Sequence, residues 1–577
     1  MGNCALVDEL NRLRKSSGDS IDSEKSFDEF KQYMHVARDI EKDLKNILRN
    51  VNRSHRKTLV LLCGSAGDGK SHMLSFLRNY DNEQLLDNYR IHNDATESSA
   101  PNKTAVDTLN QVLDDFSDNR IHQPGTNLIL AINLGVLNNF IESPKYGKHF
   151  TTLRKYVEDH SILSTKVVDN EYNPLSSFQH VSFADYQLYT VTEKGAESKY
   201  IETLLQRVFS PLDNNPFYAA YCRGCKECSR QIWCPVRYNF LFLQKDEVQK
   251  CITKLLIMTI IKRKEILTTR EILNFFYDIS VLQDFDVSEL DNVIDDDSKL
   301  LKLFLRGMTP SLLFDQPGLS MLMNHIGEND PLLYRDEKGD DFAVEYYVSS
   351  DVSQFVKKEV NDTPYKDLLL DSKMLEEINS DKEIKGTVFT CLVRLNALKE
   401  DTLQDSIYNE FVKMLYYFNS GRKKQVNNLY NLAKHAILQW CGTDDSGHVC
   451  IGKNKNYLLY EEIDFKLNSD CIPAESKDAE LHRFLPELKV SYKNDKDKSA
   501  QPFDLDIDFS LYQMIIRLNH GYVHTSDDES NFTDFISFIK RLLQTGNSDR
   551  EIFIVDHKGR KSLFRRTDLG YEFEVKK

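Results

Sequence analysis

The segment Thr58 to Cys63 (TLVLLC) is a nearly unbroken apolar run, and it feeds without a linker into Gly64-Ser-Ala-Gly-Asp-Gly69-Lys70-Ser71. A run without polar alternation suits a strand covered on both faces, as in a parallel sheet flanked by helices. Behind the loop, Met73, Leu74 and Leu77 recur at helical spacing. Strand, loop and helix stand in order, and the loop matches G-x-x-x-x-G-K-S/T in full. Gly64, Gly67 and Gly69 let backbone N–H groups turn inward around phosphate oxygens with no Cβ in the way. Ser65, Ala66 and Asp68 complete that cradle. Lys70 supplies a point charge to the β- and γ-phosphates, and the Ser71 hydroxyl can ligate Mg²⁺. The helix that starts near Lys70 aims its positive end at the anion. The loop therefore predicts a nucleoside triphosphate site, for ATP with Mg²⁺.

The flanking pattern extends the sheet. YRIHN (Tyr89 to Asn93) and NLILAIN (Asn127 to Asn133) read as strands, with a helix over Thr104 to Phe116 between them. HVSFADYQLYTV (His180 to Val191) reads as a later strand, and Ser26 to Leu48 as one or two amphipathic helices. Alternation of this kind predicts an α/β core. From about Pro216 to Gly442 the periodicity is mainly helical. The remaining tail is mixed, with a strand at Glu551 to Asp556 and a helix in FTDFISFIKRLLQTG. Linkers are expected at Cys441 to Asn456 and Tyr492 to Pro502.

A working ATPase usually ends a buried strand in an Asp that holds Mg²⁺, often followed by a Glu that activates water. Here LILAI runs into Asn133-Leu134. An amide brings no charge to the metal and takes no proton at neutral pH. Asp94 and Glu97 in NDATES are possible substitutes, with turn or cap carboxylates as the plainer reading. The site is read as a P-loop ATPase with a degenerate acidic motif, or as one that only binds. Farther on, Thr268 and Glu271 form a T-x-x-E capping box with Arg270 in the first turn. This looks like the lid helix of AAA+ ATPases, whose early arginine reaches the γ-phosphate. Arg394 is a weaker candidate of the same kind.

Four of the eleven cysteines fall at Cys222, Cys225, Cys228 and Cys234. Thiolates this close can surround one ion, structural zinc in the first instance and an iron–sulfur cluster in the second. One metal site among scattered cysteines suits a reducing, cytoplasmic compartment better than a disulfide framework. No stretch is apolar and long enough for a membrane span. Lys plus Arg number 74 against 89 Asp plus Glu, a net charge of −15, so a broad duplex-DNA surface is not expected of this chain alone.

Other patterns have plain readings. Glu487-Leu-Lys489 and Glu574-Val-Lys576 are E-x-K triplets of the kind metal-dependent nucleases use, but neither has a convincing upstream Asp on its own strand, and both read as ordinary surface charge. The basic stretch His557 to Arg566 reads as a solvated hairpin or a partner contact, and Asp295-Asp296-Asp297 as a solvated turn.

The ordered combination SFDEFKQYMHVARDIEKDL, LLCGSAGDGKSHML, NDATES, ILAINLGVLNNF, the cysteine cluster ending CPVRYNF, LVRLNAL and LYNLAKHAILQWCG resembles the DptF family of DNA phosphorothioation-dependent restriction proteins. The likeness spans most of the chain and thins after about Asn456. It implies a bacterial defence subunit that acts with two partner subunits against DNA lacking the backbone sulfur mark, with ATP on Gly64, Gly67, Gly69, Lys70 and Ser71. DNA contact would come through that complex. A nucleotide-switched signalling or scaffold NTPase, and a metal-dependent nuclease, are the competing classes.

The expected architecture is an α/β P-loop NTPase core, AAA+-like, with a helical lid, a four-cysteine metal module, a helical middle and an α+β C-terminal region. The divisions fall at N-terminal helices 1–50, ATPase core 51–215, cysteine insert and lid 216–300, helical domain 301–442 and tail 443–577.

Overall fold

A computed structural model describes residues 4–15, 29–54, 56–65, 67–93, 104–163, 171–335, 337–400, 403, 405–443, 448–462, 466–493, 502–543, 551–567 and 570–576. The chain parts into two compact units. The first comprises Met1–Thr190, Glu197–Ile260 and Lys264–Gln404; the second comprises Val191–Ala196, Ile261–Arg263 and Asp405–Lys577.

The first unit opens with α1 (Ala5–Lys15), α2 (Glu29–Met34) and α3 (Asp39–Arg53). There follow β1 (Leu59–Cys63), α4 (Lys70–Tyr80), β2 (Tyr89–His92), α5 (Ala105–Val112), β3 (Asn127–Ile132), α6 (Leu134–Ile141), α7 (Thr151–Asp159) and β4 (Phe178–Ser182). The four strands make one parallel sheet in the order β2-β3-β1-β4. Side chains of a strand alternate between faces, and β1 shows the consequence. Leu59, Leu61 and Cys63 join Leu128, Leu130 and Ile132 in a core with residues of α5, α6 and α7. Val60 and Leu62 join Ile129, Ala131 and Val181 in a second core with residues of α3 and α4. All five β1 residues are buried, so each face of the apolar run finds a layer of helices. Truncating one such leucine to alanine costs about 2–5 kcal/mol.

After the sheet come α8 (Lys199–Phe209), α9 (Pro216–Gly224), α10 (Pro235–Phe242), α11 (Asp246–Arg263) and α12 (Thr269–Asp278). The rest of the first unit is helical. No helix among the described residues is long and apolar enough to cross a membrane.

Several expectations change. The strand expected over His180 to Val191 ends at Ser182, where the Ser182 side chain accepts from the Ala184 N–H and starts a 3₁₀ turn, Phe183–Asp185. The helix expected over Thr104 to Phe116 stops at Val112 and is followed by a 3₁₀ turn, Asp114–Phe116. The second compact unit takes in the chain from Asp405 onward. The helices Ser406–Asn419 and Lys423–Cys441 pack on each other and on Leu488–Lys493 of the second unit. Part of the expected linker at Cys441 to Asn456 is strand, Val449–Lys453, paired antiparallel with Tyr457–Glu461.

The second unit also holds a three-stranded sheet around Leu488–Lys493 and a five-stranded sheet that includes Glu551–Asp556 and Lys561–Thr567. Of the E-x-K triplets, Lys489 and Glu574 lie in strands. Lys489 pairs with Asp506 at 3.2 Å across an antiparallel ladder. The basic stretch is a hairpin whose turn is held by Arg560 on Asp556 at 2.6 Å. Asp296 caps the helix Asp297–Gly307.

Candidate nucleotide site

β1 delivers the chain to the carboxyl edge of the sheet, where Gly64 N–H donates to the Ile132 carbonyl at 3.1 Å. The loop then turns through two left-handed residues, Gly67 (φ +89°) and Gly69 (φ +96°), before α4 begins at Lys70. L-residues pay about 1–2 kcal/mol for that conformation, so glycine is demanded at both positions. Their surroundings differ. A Cβ on Gly67 would stand 2.9 Å from Thr268 Cγ2, whereas one on Gly69 would meet open space.

Several polar groups of the loop are engaged within it. Asp68 folds back so that Ser65 N–H donates to its Oδ2 at 2.5 Å. Lys70 Nζ donates to the carbonyls of Gly64 (2.9 Å) and Ser65 (2.6 Å). Burial raises the Asp68 pKa against the pull of the Ser65 N–H, Lys70 and Arg38. A carboxylate thus sits on a loop N–H of the kind a phosphate oxygen would use.

Arg38 was not foreseen. It precedes α3, and its guanidinium donates to the Asp68 carbonyl (3.2 Å) and the Tyr186 carbonyl (3.4 Å). It lies 5.0 Å from the Phe183 ring centroid and 5.4 Å from that of Tyr200. Burial pulls its pKa down, with Tyr200 and Asp68 opposing. Nothing in the local sequence marks it, because its partners come from three distant segments.

The capping box forms as the spacing predicts. Thr268 Oγ1 accepts from Glu271 N–H at 3.2 Å, and Thr268 N–H donates to the Glu271 carboxylate at 2.8 Å. The first turn of α12 is tied to α8 by Tyr200 and Thr269, whose hydroxyls are 2.7 Å apart. With Thr268 against Gly67, this helix start stands over the loop, and Arg270 lies exposed in its first turn. Arg394 has a different role from the one expected. Nearly fully buried, it binds both oxygens of Asp315 at 2.7 Å and those of Asp330 at 3.2 and 2.5 Å. It is a structural ion triad.

Asn133 caps α6, its Oδ1 accepting from Gly135 N–H at 2.8 Å. That leaves the amide NH₂ to serve as a donor, a group suited to a phosphate oxygen and unable to ligate a cation. Leu134 packs against the core. Asp94, Glu97 and Ala66 lie outside the described residues. A buried carboxylate does occur beyond the end of β4, at Asp185. Burial pushes the Cys63 thiol up to about 12; Asp185 adds to that shift and Lys70 opposes it, so both charges reach the end of β1. The acid closing HVSFAD was the available signal, obscured by reading the strand through to Val191.

The cysteine module joins α9 to α10. Cys225 and Cys234 are buried, Cys222 and Cys228 partly so, and all eleven cysteines of the chain are free thiols. Among the described residues no three His, Cys, Asp or Glu side chains are close enough together to hold an ion. The chemistry of the donors nevertheless suits zinc: soft sulfur ligands, with Cys234 accepting from the Val236 and Arg237 N–H groups at the start of α10. Comparison with known proteins brings no relative to this arrangement: no family model, no curated protein and no solved structure matches the chain.

Proposed function

We propose that the chain is the ATP-binding, and ATP-hydrolysing, subunit of a bacterial phosphorothioation-dependent restriction complex, built on an AAA+-like P-loop core and acting in the cytoplasm with two partner subunits on DNA that lacks the sulfur mark. The observation that carries the nucleotide reading is the loop itself: two left-handed glycines between a buried parallel strand and a helix that begins at Lys70. The biological setting rests on the ordered motifs that resemble DptF.

In this reading phosphate oxygens take over the Ser65 N–H from Asp68, and Lys70 leaves its two carbonyls for the β- and γ-phosphates. Ser71 would hold Mg²⁺, which neutralises charge on those oxygens. The Asn133 amide and Arg270 face the γ-phosphate as donors. The acid near the reacting water is Asp185, or Asp94 or Glu97. A second reading, a nucleotide-gated scaffold whose chemistry lies in a partner, is favoured by the amide at Asn133.

The test is ATP turnover by the purified, metal-replete chain beside Lys70→Ala, with and without DNA, together with restriction of unmodified plasmid by the whole system. Turnover and restriction are both expected to fall in Lys70→Ala. Restriction that survives Lys70→Ala would refute a role for nucleotide. Tight ATP binding without turnover would select the scaffold.

A further inference from the structure

The cysteine module has a neighbour that its sequence spacing excludes. α1 packs on α9 and on α12, and its first residue, Ala5, lies against Gly224, the last residue of α9. A Cβ at Gly224 would stand 3.0 Å from Ala5 Cβ and 3.7 Å from the Ala5 nitrogen, so the absent side chain lets the two segments meet. Cys4 and Cys225 are the residues next to that contact.

The four thiols Cys4, Cys225, Cys228 and Cys234 form one electrostatic group. Charge on Cys225 is felt from Cys4, Cys228 and Cys234; Cys234 feels Cys4 and Cys228; Cys4 feels Cys228. All six pairings are present. Cys222 is hydrogen-bonded with Tyr218, one turn earlier in α9. Positive groups offset the module's charge: Arg237 acts on Cys225, and the Val236 and Arg237 N–H groups point at Cys234.

We propose that Cys4, Cys225, Cys228 and Cys234, rather than the sequential set that begins at Cys222, bind one zinc ion and so fasten the start of α1 to the α9–α10 module. Four thiolates satisfy tetrahedral zinc; as these side chains stand, no three are close enough together to hold an ion, so binding one requires the thiols to close on it. The consequence reaches the nucleotide loop. At the far end of α1, Arg14 binds Asp278 at 2.5 Å and lies 4.4 Å from the Tyr277 ring centroid. Those residues end α12, whose cap Thr268 rests on Gly67. The ion thus anchors one end of a strut whose other end holds the lid helix.

The experiment measures zinc in the full-length chain by elemental analysis, then its retention against a competing chelator, for wild type, Cys4→Ser, Cys222→Ser and Cys225→Ser. About one zinc per chain is expected in wild type and in Cys222→Ser. Cys4→Ser and Cys225→Ser are expected to lose affinity by more than the roughly 100-fold that follows from disturbing a ligand's hydrogen-bond partner. Cobalt substitution supplies a readout independent of folding yield: the sulfur-to-cobalt charge-transfer band per bound ion should weaken by one thiolate in four for Cys4→Ser and stay unchanged for Cys222→Ser. Zinc held normally by Cys4→Ser but lost by Cys222→Ser would overturn the assignment. So would a wild-type chain without metal, or one carrying iron and acid-labile sulfide.

Discussion

Thr268 rests on Gly67: a Cβ placed on the glycine would come within 2.9 Å of the threonine Cγ2. The residue that caps α12 therefore also limits what the glycine-rich loop can contain, and the start of α12 packs against the loop. Arg38 braces the same loop from the other direction, through the Asp68 carbonyl.

That contact predicts a difference between two chemically equal substitutions. Gly67→Ala and Gly69→Ala each pay about 1–2 kcal/mol for a left-handed L-residue. Only Gly67→Ala also meets Thr268, so it should lose more stability. Thr268→Ser, which removes Cγ2 and keeps the capping oxygen, should recover about 0.5–1 kcal/mol of the Gly67→Ala loss and none of the Gly69→Ala loss. Denaturant melts of the double-mutant cycle read this directly. Equal coupling at both glycines would contradict the packing.

Asp185 is the buried acid beyond the carboxyl end of β4, within electrostatic reach of the end of β1. If it does the work that Asn133 cannot, Asp185→Asn should lower ATP turnover by about 100-fold or more while leaving ATP affinity within about threefold. A thermal melt controls for folding. Normal turnover in Asp185→Asn would pass the role to Asp94 or Glu97.

Arg394 should matter for stability. Burial opposes its charge, but Asp315 and Asp330 outweigh that and raise its pKa. Arg394→Met leaves Asp330 buried without its partner and should cost about 3–5 kcal/mol. The double variant Arg394→Met with Asp330→Asn should recover part of the loss. A fall in turnover with unchanged stability would return Arg394 to the list of nucleotide-sensing arginines.

His72, just after the loop, carries the clearest pH signature. Burial, His35 and Lys31 hold its pKa down at about 4, against an ordinary 6.5, with Glu41 opposing. Its ring nitrogen is 3.1 Å from that of His35, which in turn lies 3.2 Å from Glu41. A depressed histidine favours the fold while neutral. Its contribution is complete above pH 6.5 and is lost as pH falls toward 4, on the order of 3 kcal/mol in all. Chemical denaturation at pH 7 and pH 4.5 should show a smaller drop for His72→Asn than for wild type. Parallel losses would show that other groups carry the acid sensitivity.

What the amino-acid order determined by itself was local. The apolar run of β1, the left-handed demands at Gly67 and Gly69, the capping box of Thr268 and Glu271, and the turn at Asp296 all depend on residues within a few positions of one another. Neighbours along the chain are neighbours in space whatever the rest does. Packing decided the remainder. Arg14 reaches Asp278 across 264 positions, and Arg38 meets Tyr186 across 148. Ala5, beside Cys4, lies against Gly224 of the cysteine module, 219 positions away in the chain, where a Cβ would stand 3.0 Å from it. Arg394 becomes an ion triad because two loops bring Asp315 and Asp330 to it. The strand through His180 stops at Ser182 because a side-chain hydrogen bond to Ala184 offers the backbone a turn. Such partners are set by which faces bury together, and a buried charge or thiol takes its role from what the fold places beside it.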